Sequence, residues 1–299
     1  MSDAINTIEV STLGVLTRAW QYGSADGEPL VLVHGFRGDH HGLQGLAIAA
    51  AELAPELRII VPDLPGFGET PAIPNREHSL DLFGEWLIEF TAQVAPQQSG
   101  FAILGHSFGS LVVANALSQG LSPSRTMLIN PISAPALKGP QALMTQFAIG
   151  YYRCADLLPE APSRALLGNP IIVRVMSEVM AKTSDAELRS WIHNQHHQYF
   201  SVFADSRSLL QAFRASVSHT VMQYADSFTT PTLLIAGDRD DITPLTAQLE
   251  LSRRLADASL KIIPGVGHLV HYEAVDYAAA EMVAFLRQET VPSMSGQHA

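Results

Sequence analysis

Phe101-Ala102-Ile103-Leu104-Gly105-His106-Ser107-Phe108-Gly109 runs from four mostly apolar residues into G-x-S-x-G, and a helical pattern over about 108–118 follows at once. The apolar run reads as a strand buried on both faces. A serine forced into a tight strand-to-helix turn needs small neighbours, and Gly105 and Gly109 supply them. Such a turn lifts the hydroxyl above the sheet edge and sets it at a helix N-terminus, where free N–H groups and a positive dipole end can face an oxyanion. A glycine-flanked helix N-cap serine would have the same composition, so the surrounding segments have to decide.

Those segments repeat one rhythm. Thr7-Ile8-Glu9-Val10 and Val15-Leu16-Thr17-Arg18-Ala19-Trp20 alternate around Leu13-Gly14 and predict an antiparallel hairpin. Leu30–Val33 precedes a helix over about 42–54, and Arg58–Val61 precedes a Gly/Pro-rich loop and a helix over about 79–95. Thr126–Ile129 ends at Asn130-Pro131. Strand–helix alternation of this kind predicts a mostly parallel sheet. The rhythm then stops. From Pro131 to about Ser227 the sequence shows helical patterns only, over about 169–182, from a capping box at Ser184-Asp185-Ala186-Glu187, and over about 206–222. Alternation resumes with Thr232–Ala236, a helix whose N-cap and N1 are read as Thr243 and Pro244, the strand Leu260–Ile263, and a helix over about 273–288. The tail 291–299 reads as frayed. The expected organisation is a core of 1–130 and 229–299 interrupted by a helical block, 131–228.

Composition narrows the classes. The 299 residues are 47% hydrophobic and 16% charged, with a net charge of −11. That charge and the three lysines argue against a nucleic-acid partner. One cysteine, Cys154, excludes an internal disulfide and a cysteine-rich metal site, and it reads as a buried or half-buried small apolar residue. No apolar run approaches the ~18 residues of a membrane span, and Met1–Asn6 lacks a signal-peptide pattern, so a cytoplasmic protein is expected. The acidity is uneven. Residues 1–130 carry 13 acidic and 5 basic side chains, 229–299 carry 9 and 5, and the helical block 7 and 8.

A serine needs a base, and the base needs a group to hold it. Two downstream segments at strand ends offer both: Gly237-Asp238-Arg239-Asp240-Asp241-Ile242-Thr243-Pro244 and Pro264-Gly265-Val266-Gly267-His268. The chain order Ser, Asp, His is that of a nucleophile-elbow enzyme. By residue type alone Asp238, Asp240 and Asp241 remain candidates, and His271 competes with His268.

With these motifs the sequence resembles the α/β-hydrolase superfamily over nearly its whole length. The resemblance implies an eight-stranded, mostly parallel sheet flanked by helices, with the block 131–228 as an all-helical cap. Gly237, Asp240 and Pro244 match the family's acid segment, and Gly265, Gly267 and His268 match its G-x-G-H. Ser107, Asp240 and His268 are thereby implied as nucleophile, acid and base. His34-Gly35 matches the pair that precedes the first oxyanion donor, which implies the backbone N–H groups of Phe36 and Phe108. Asp63-x-x-Gly66-x-Gly68-x-Thr70 matches a structural turn. His34 and His106 are read first as supports of these loops, and with Trp191 and Tyr152 they are also candidates to line the substrate site.

The implied activity is hydrolysis of a carboxylic ester, or a related acyl bond, of a small and largely apolar substrate, by a monomer or homodimer. Thioesters, lactones and the carbon–carbon bond of a vinylogous diketone are alternatives within the superfamily. A non-catalytic small-ligand receptor is an alternative of another class. The aromatics of the block, among them Phe147, Tyr151, Phe203 and Phe213, serve either as its own core or as walls of a substrate cavity. Asp39-His40-His41 and the i, i+4 pair His193 and His197 have metal-ligand chemistry but lack a H-E-x-x-H glutamate or an obvious further ligand. Neither metal nor cofactor is expected.

Overall fold

The apolar runs become strands of one eight-stranded sheet in the computed structural model, which describes residues 6–95, 100–135 and 142–288. β1 (Asn6–Thr12) and β2 (Val15–Gly23) form the expected hairpin. Leu13 at φ 47° and Gly14 at φ 80° both take left-handed backbone, which a two-residue turn matched to strand twist requires. β3 (Glu28–Val33), α1 (His40–Leu53), β4 (Leu57–Pro62), α2 (Leu80–Val94), β5 (Ala102–His106), α3 (Phe108–Ser118) and β6 (Arg125–Ile129) follow.

The helical block comes next. It holds α4 (Ala142–Asp156), α5 (Glu160–Leu167), α6 (Pro170–Met180), α7 (Ala186–Tyr199) and α8 (Ser206–Ser218), and a 3-10 turn at Val221–Ser227. The chain closes with β7 (Thr232–Gly237), α9 (Leu245–Arg254), β8 (Ala258–Ile263), α10 (Val270–Glu273) and α11 (Val275–Leu286). The tail 291–299 lies outside the described residues. No helix among the described residues is long and apolar enough to cross a membrane.

Strand order is β1-β2-β4-β3-β5-β6-β7-β8, antiparallel at β1/β2 and β2/β4 and parallel from β4 onward. From β3 the chain first moves to β4 and then returns to β5 on the other side. The loops after β3 and β5 therefore diverge, and open sheets place ligands in the crevice so formed. β5, β6 and β7 are buried throughout, which accounts for the unbroken apolar runs. Along β3, Val31 and Val33 face the α2/α3 side while Leu30 and Leu32 face the α1/α11 side. Each such side chain contributes about 1.5–3 kcal/mol by burial.

The helical block departs from the sequence reading in number and in caps. Five α-helices are present among its described residues instead of three. Pro159 and Pro162 hide the start of α5, yet they stand at the N-cap and in the first turn, where no N–H has an intrahelical acceptor. Asp185, rather than Ser184, caps α7 by accepting from Glu187 N and Leu188 N. Thr243 does not cap α9, which starts after Pro244, because the Thr243 side chain serves Asp240. β6 and β7 are parallel neighbours in the sheet, so the block leaves at the C-terminal end of β6 and the chain returns to the opposite end to start β7.

Candidate active site

Steric limits build the elbow. A Cβ on Gly105 would lie 2.5 Å from Gly109 O, and one on Gly109 would lie 2.2 Å from Val33 O. Both positions are contacts with backbone, which cannot move aside. Ser107 sits between them at φ 51° and ψ −115°, a strained conformation for a side-chain-bearing residue. Its N–H donates to Ile129 O at 3.1 Å. Phe108 opens α3, so its N–H has no acceptor within the helix.

Loops after β7 and β8 bring Asp240 and His268 to this hydroxyl. His268 Nδ1 lies 2.7 Å from Asp240 Oδ2, and His268 Nε2 lies 2.8 Å from Ser107 Oγ. A carboxylate only accepts, so Nδ1–H donates to Asp240 and the bare Nε2 accepts from the Ser107 hydroxyl. Asp240 Oδ1 also accepts from Ile242 N at 2.7 Å and Thr243 N at 3.0 Å, and Oδ2 accepts from the Thr243 hydroxyl. Burial pushes the Asp240 carboxyl up, but the His268 charge and these hydrogen bonds outweigh it and hold the group below the usual carboxylate range. All three side chains are buried, Ser107 being 8% exposed.

The rival residues have other partners. Asp238 accepts from Gly265 N at 2.6 Å, and Asp241 pairs with Lys182 of the helical block at 2.5 Å. The His271 ring lies 4.2 Å from the His106 ring on the wall of the cavity.

His34 and His106 act as braces. His34 Nε2 accepts from Leu64 N at 2.9 Å, which leaves Nδ1–H to donate to Gly35 O at 2.8 Å. His106 Nε2–H donates to His268 O at 3.2 Å. Burial lowers both pKa values, and for His106 the His268 charge adds to it, down to about 3. Both rings are neutral at pH 7. Asp63 accepts from His40 N at 2.7 Å and Glu69 N at 2.7 Å, so the Asp63–Thr70 motif is a structural turn.

A cavity of about 560 Å³ lies over Ser107, within the range of small-ligand sites. Phe36, Ile132, Tyr152 and Phe213 form one apolar wall, and Met176 and Val179 line another part. His34, His106 and Tyr152 reach the cavity; Trp191 does not. Trp191 is 46% exposed and packs edge-on against Tyr272, so it leaves the list of lining candidates.

Other expectations change as well. Cys154 is exposed rather than buried or half-buried. His193 and His197 diverge, one inward and one to solvent. His193 pairs instead with His196, both rings meeting Ser177 Oγ, at 2.6 Å and 2.7 Å. Asp39, His40 and His41 bring ligand atoms within 4.8 Å of one another. Those atoms are already engaged: Asp39 caps α1 through His41 N, and His40 Nδ1 meets Asp63 Oδ1 at 3.0 Å.

Sequence reasoning passed over Asn130, which ties the site together. At φ 44° it donates from Nδ2 to the carbonyls of Gly267 and His268, and its Oδ1 accepts from Gly237 N at 3.0 Å. Its place just after a doubly buried strand, among other strand ends, was the available signal.

A mostly parallel eight-stranded sheet, a strained serine between strand and helix, and Ser–Asp–His chain order define a nucleophile-elbow α/β protein. The chain belongs to the alpha/beta hydrolase family, whose model matches residues 30–281. It is 29% identical over 277 residues to the dihydrolipoyllysine-residue acetyltransferase component of the acetoin cleaving system of Pseudomonas putida, covering 92% of this chain and 68% of that protein. It is 23% identical over 293 residues to 2-hydroxymuconate semialdehyde hydrolase of Pseudomonas sp. (strain CF600), covering 96% of each. A thermophilic esterase from Thermogutta terrifontis shares the fold, with a TM-score of 0.75 and 21% identity over 94% of this chain and 98% of that one.

Proposed function

We propose that this chain is a serine hydrolase that cleaves the carboxylic ester, or a related acyl bond, of a small and largely apolar substrate through an acyl-enzyme. The observation that carries this reading is the continuous relay Asp240–His268–Ser107, at 2.7 and 2.8 Å, on the floor of an apolar-walled cavity. Ser107 Oγ attacks the carbonyl carbon as His268 Nε2 takes its proton. Asp240 holds the ring in the required tautomer and stabilises the imidazolium. The N–H groups of Phe36 and Phe108 receive the oxyanion, a contribution of about 2.7–4 kcal/mol per donor in comparable sites. His268 then returns the proton to the leaving oxygen, and water, activated by the same ring, hydrolyses the acyl-enzyme. Residues 131–228 act as a cap, and Tyr152 and Phe213 form part of the acyl pocket. The chemistry needs no metal or cofactor, and its setting is the cytoplasm, in a monomer or homodimer.

A second reading is cleavage of a carbon–carbon bond, favoured by the end-to-end match to the semialdehyde hydrolase. Side-by-side assay of p-nitrophenyl esters of increasing acyl length, a thioester and a vinylogous diketone separates the two. The ester reading predicts turnover of short and medium acyl esters that Ser107→Ala abolishes. Turnover of the diketone alone would favour the second, and ester turnover unchanged in Ser107→Ala would contradict both.

A further inference from the structure

Arg37 departs from local expectation twice. It is the third residue of the turn Gly35-Phe36-Arg37-Gly38, closed by Gly38 N–H donating to Gly35 O at 3.1 Å. Its φ of 62° is left-handed, a conformation that turns normally give to glycine or asparagine at this position. The residue is 1% exposed.

Among the described residues, the acceptors of its guanidinium lie in the helical block. Nε donates to Phe200 O at 3.0 Å, and Nη1 to Tyr152 OH at 3.2 Å. Nη2 donates to Leu167 O at 2.7 Å and Ser201 Oγ at 3.4 Å. The Phe200 ring centre lies 4.9 Å from the charge. Tyr152 is on α4, Leu167 ends α5, and Phe200 and Ser201 follow α7. Three separate parts of the block thus converge on one core residue. The preceding residue, Phe36, supplies the first oxyanion N–H in the function proposed above.

We propose that Arg37 is a positioning residue that makes the oxyanion loop depend on the helical block being seated. The four hydrogen bonds and the ring contact hold a turn that its own sequence disfavours. When they are lost, the turn relaxes and the Phe36 N–H leaves the point where charge develops, while Tyr152 keeps its place in the cavity wall by stacking on Phe213, ring centres 3.8 Å apart. The coupling rests on the assignment of Phe36 as an oxyanion donor. It works in both directions, because a cap displaced from Arg37 leaves the hydrolytic machinery incomplete.

The test is the split between kcat and KM for ester hydrolysis by purified full-length variants whose folding is checked by circular dichroism. Arg37→Ala keeps a side chain that disfavours the left-handed backbone and removes every tie. It should lower kcat about 10–100-fold with KM within about twofold, since the donor is displaced rather than deleted. Added methylguanidinium should restore part of kcat. Arg164→Gln is the control, because Arg164 makes the same kind of contact, to Phe203 O and Ala204 O, entirely inside the block; its kcat should match wild type. Should Arg37→Ala not fold, Arg37→Lys keeps the charge without the fork and should show the same split at smaller size. A kcat within twofold of wild type in the folded Arg37 variant, or an equal loss in Arg164→Gln, overturns the coupling. Absence of Ser107-dependent turnover in the wild type breaks the functional reading itself, so the two failures are distinguishable.

Discussion

The strand-end edge of the core and the helical block above it are built by opposite rules. At the edge, backbone fixes everything. Arg37, Ser107 and Asn130, which stand in the loops after β3, β5 and β6, all take left-handed backbone. Asp240 and His268 are held by hydrogen bonds from their own loops and from Asn130. The block instead leaves large apolar side chains in solvent, Leu157 at 86% and Ile171 at 73% exposed among them. Strain persists only where the surroundings over-determine it. The difference is between an edge held in one backbone conformation and a block whose apolar faces are only partly covered.

The largest effect that can break this contrast is chemical. Asp240→Asn keeps the shape but favours the wrong His268 tautomer, and kcat should fall about 10⁴-fold, as in other triads; a loss below tenfold would remove Asp240 from the role. Next is a steric probe of the edge. Gly109→Ala drives a methyl group toward Val33 O and should destabilise the fold by about 3 kcal/mol or more, read as a lowered urea midpoint.

The third probe is pH, and it addresses the junction. His34, His106, His196 and His271 are all lowered, chiefly by burial, and the charge of a neighbouring histidine adds to it in each case, with His196 at about 4 and His106 at about 3. Their folded values lie below the unfolded value near 6.5, so their stabilising contribution is complete above pH 6.5. It is lost as pH falls from there toward each folded value. The expected slope is about 1.4 kcal/mol per pH unit for each ring kept neutral, measured by urea unfolding between pH 7.5 and 5. A flat profile would mean that these rings are not buried in the neutral form.

The smaller effects belong to the block. Gly150 in α4 is exposed, and a Cβ there meets nothing within 4 Å. Gly150→Ala should stabilise by about 0.5–1 kcal/mol, the reverse of Gly109→Ala. Trp191→Ala should leave KM unchanged, since its ring stands outside the cavity, and altered KM would return it to the substrate site.

The edge was legible in the sequence because its demands are local. Glycine at 105 and 109, serine between them, and Asp240 and His268 in spaced loops each reflect a backbone contact or turn that few residues satisfy. The block was less legible. Its helices are positioned by contacts with the core that no sequence period encodes, so α4 and α5 went unseen and the pair His193/His197 gave way to His193/His196. Arg37 and Asn130 were hidden for a related reason: each acts through partners more than a hundred residues away. Cys154, read as buried or half-buried, is exposed, because an isolated small residue carries no sign of which helix face it occupies.

The central claim is that Ser107 is a nucleophile made reactive by His268. Labelling the full-length protein with a fluorophosphonate, followed by peptide mapping, tests it most directly. The account predicts one adduct, on Ser107, absent in Ser107→Ala and slowed at least 100-fold in His268→Gln. An adduct on another residue, or labelling that survives Ser107→Ala, would contradict it.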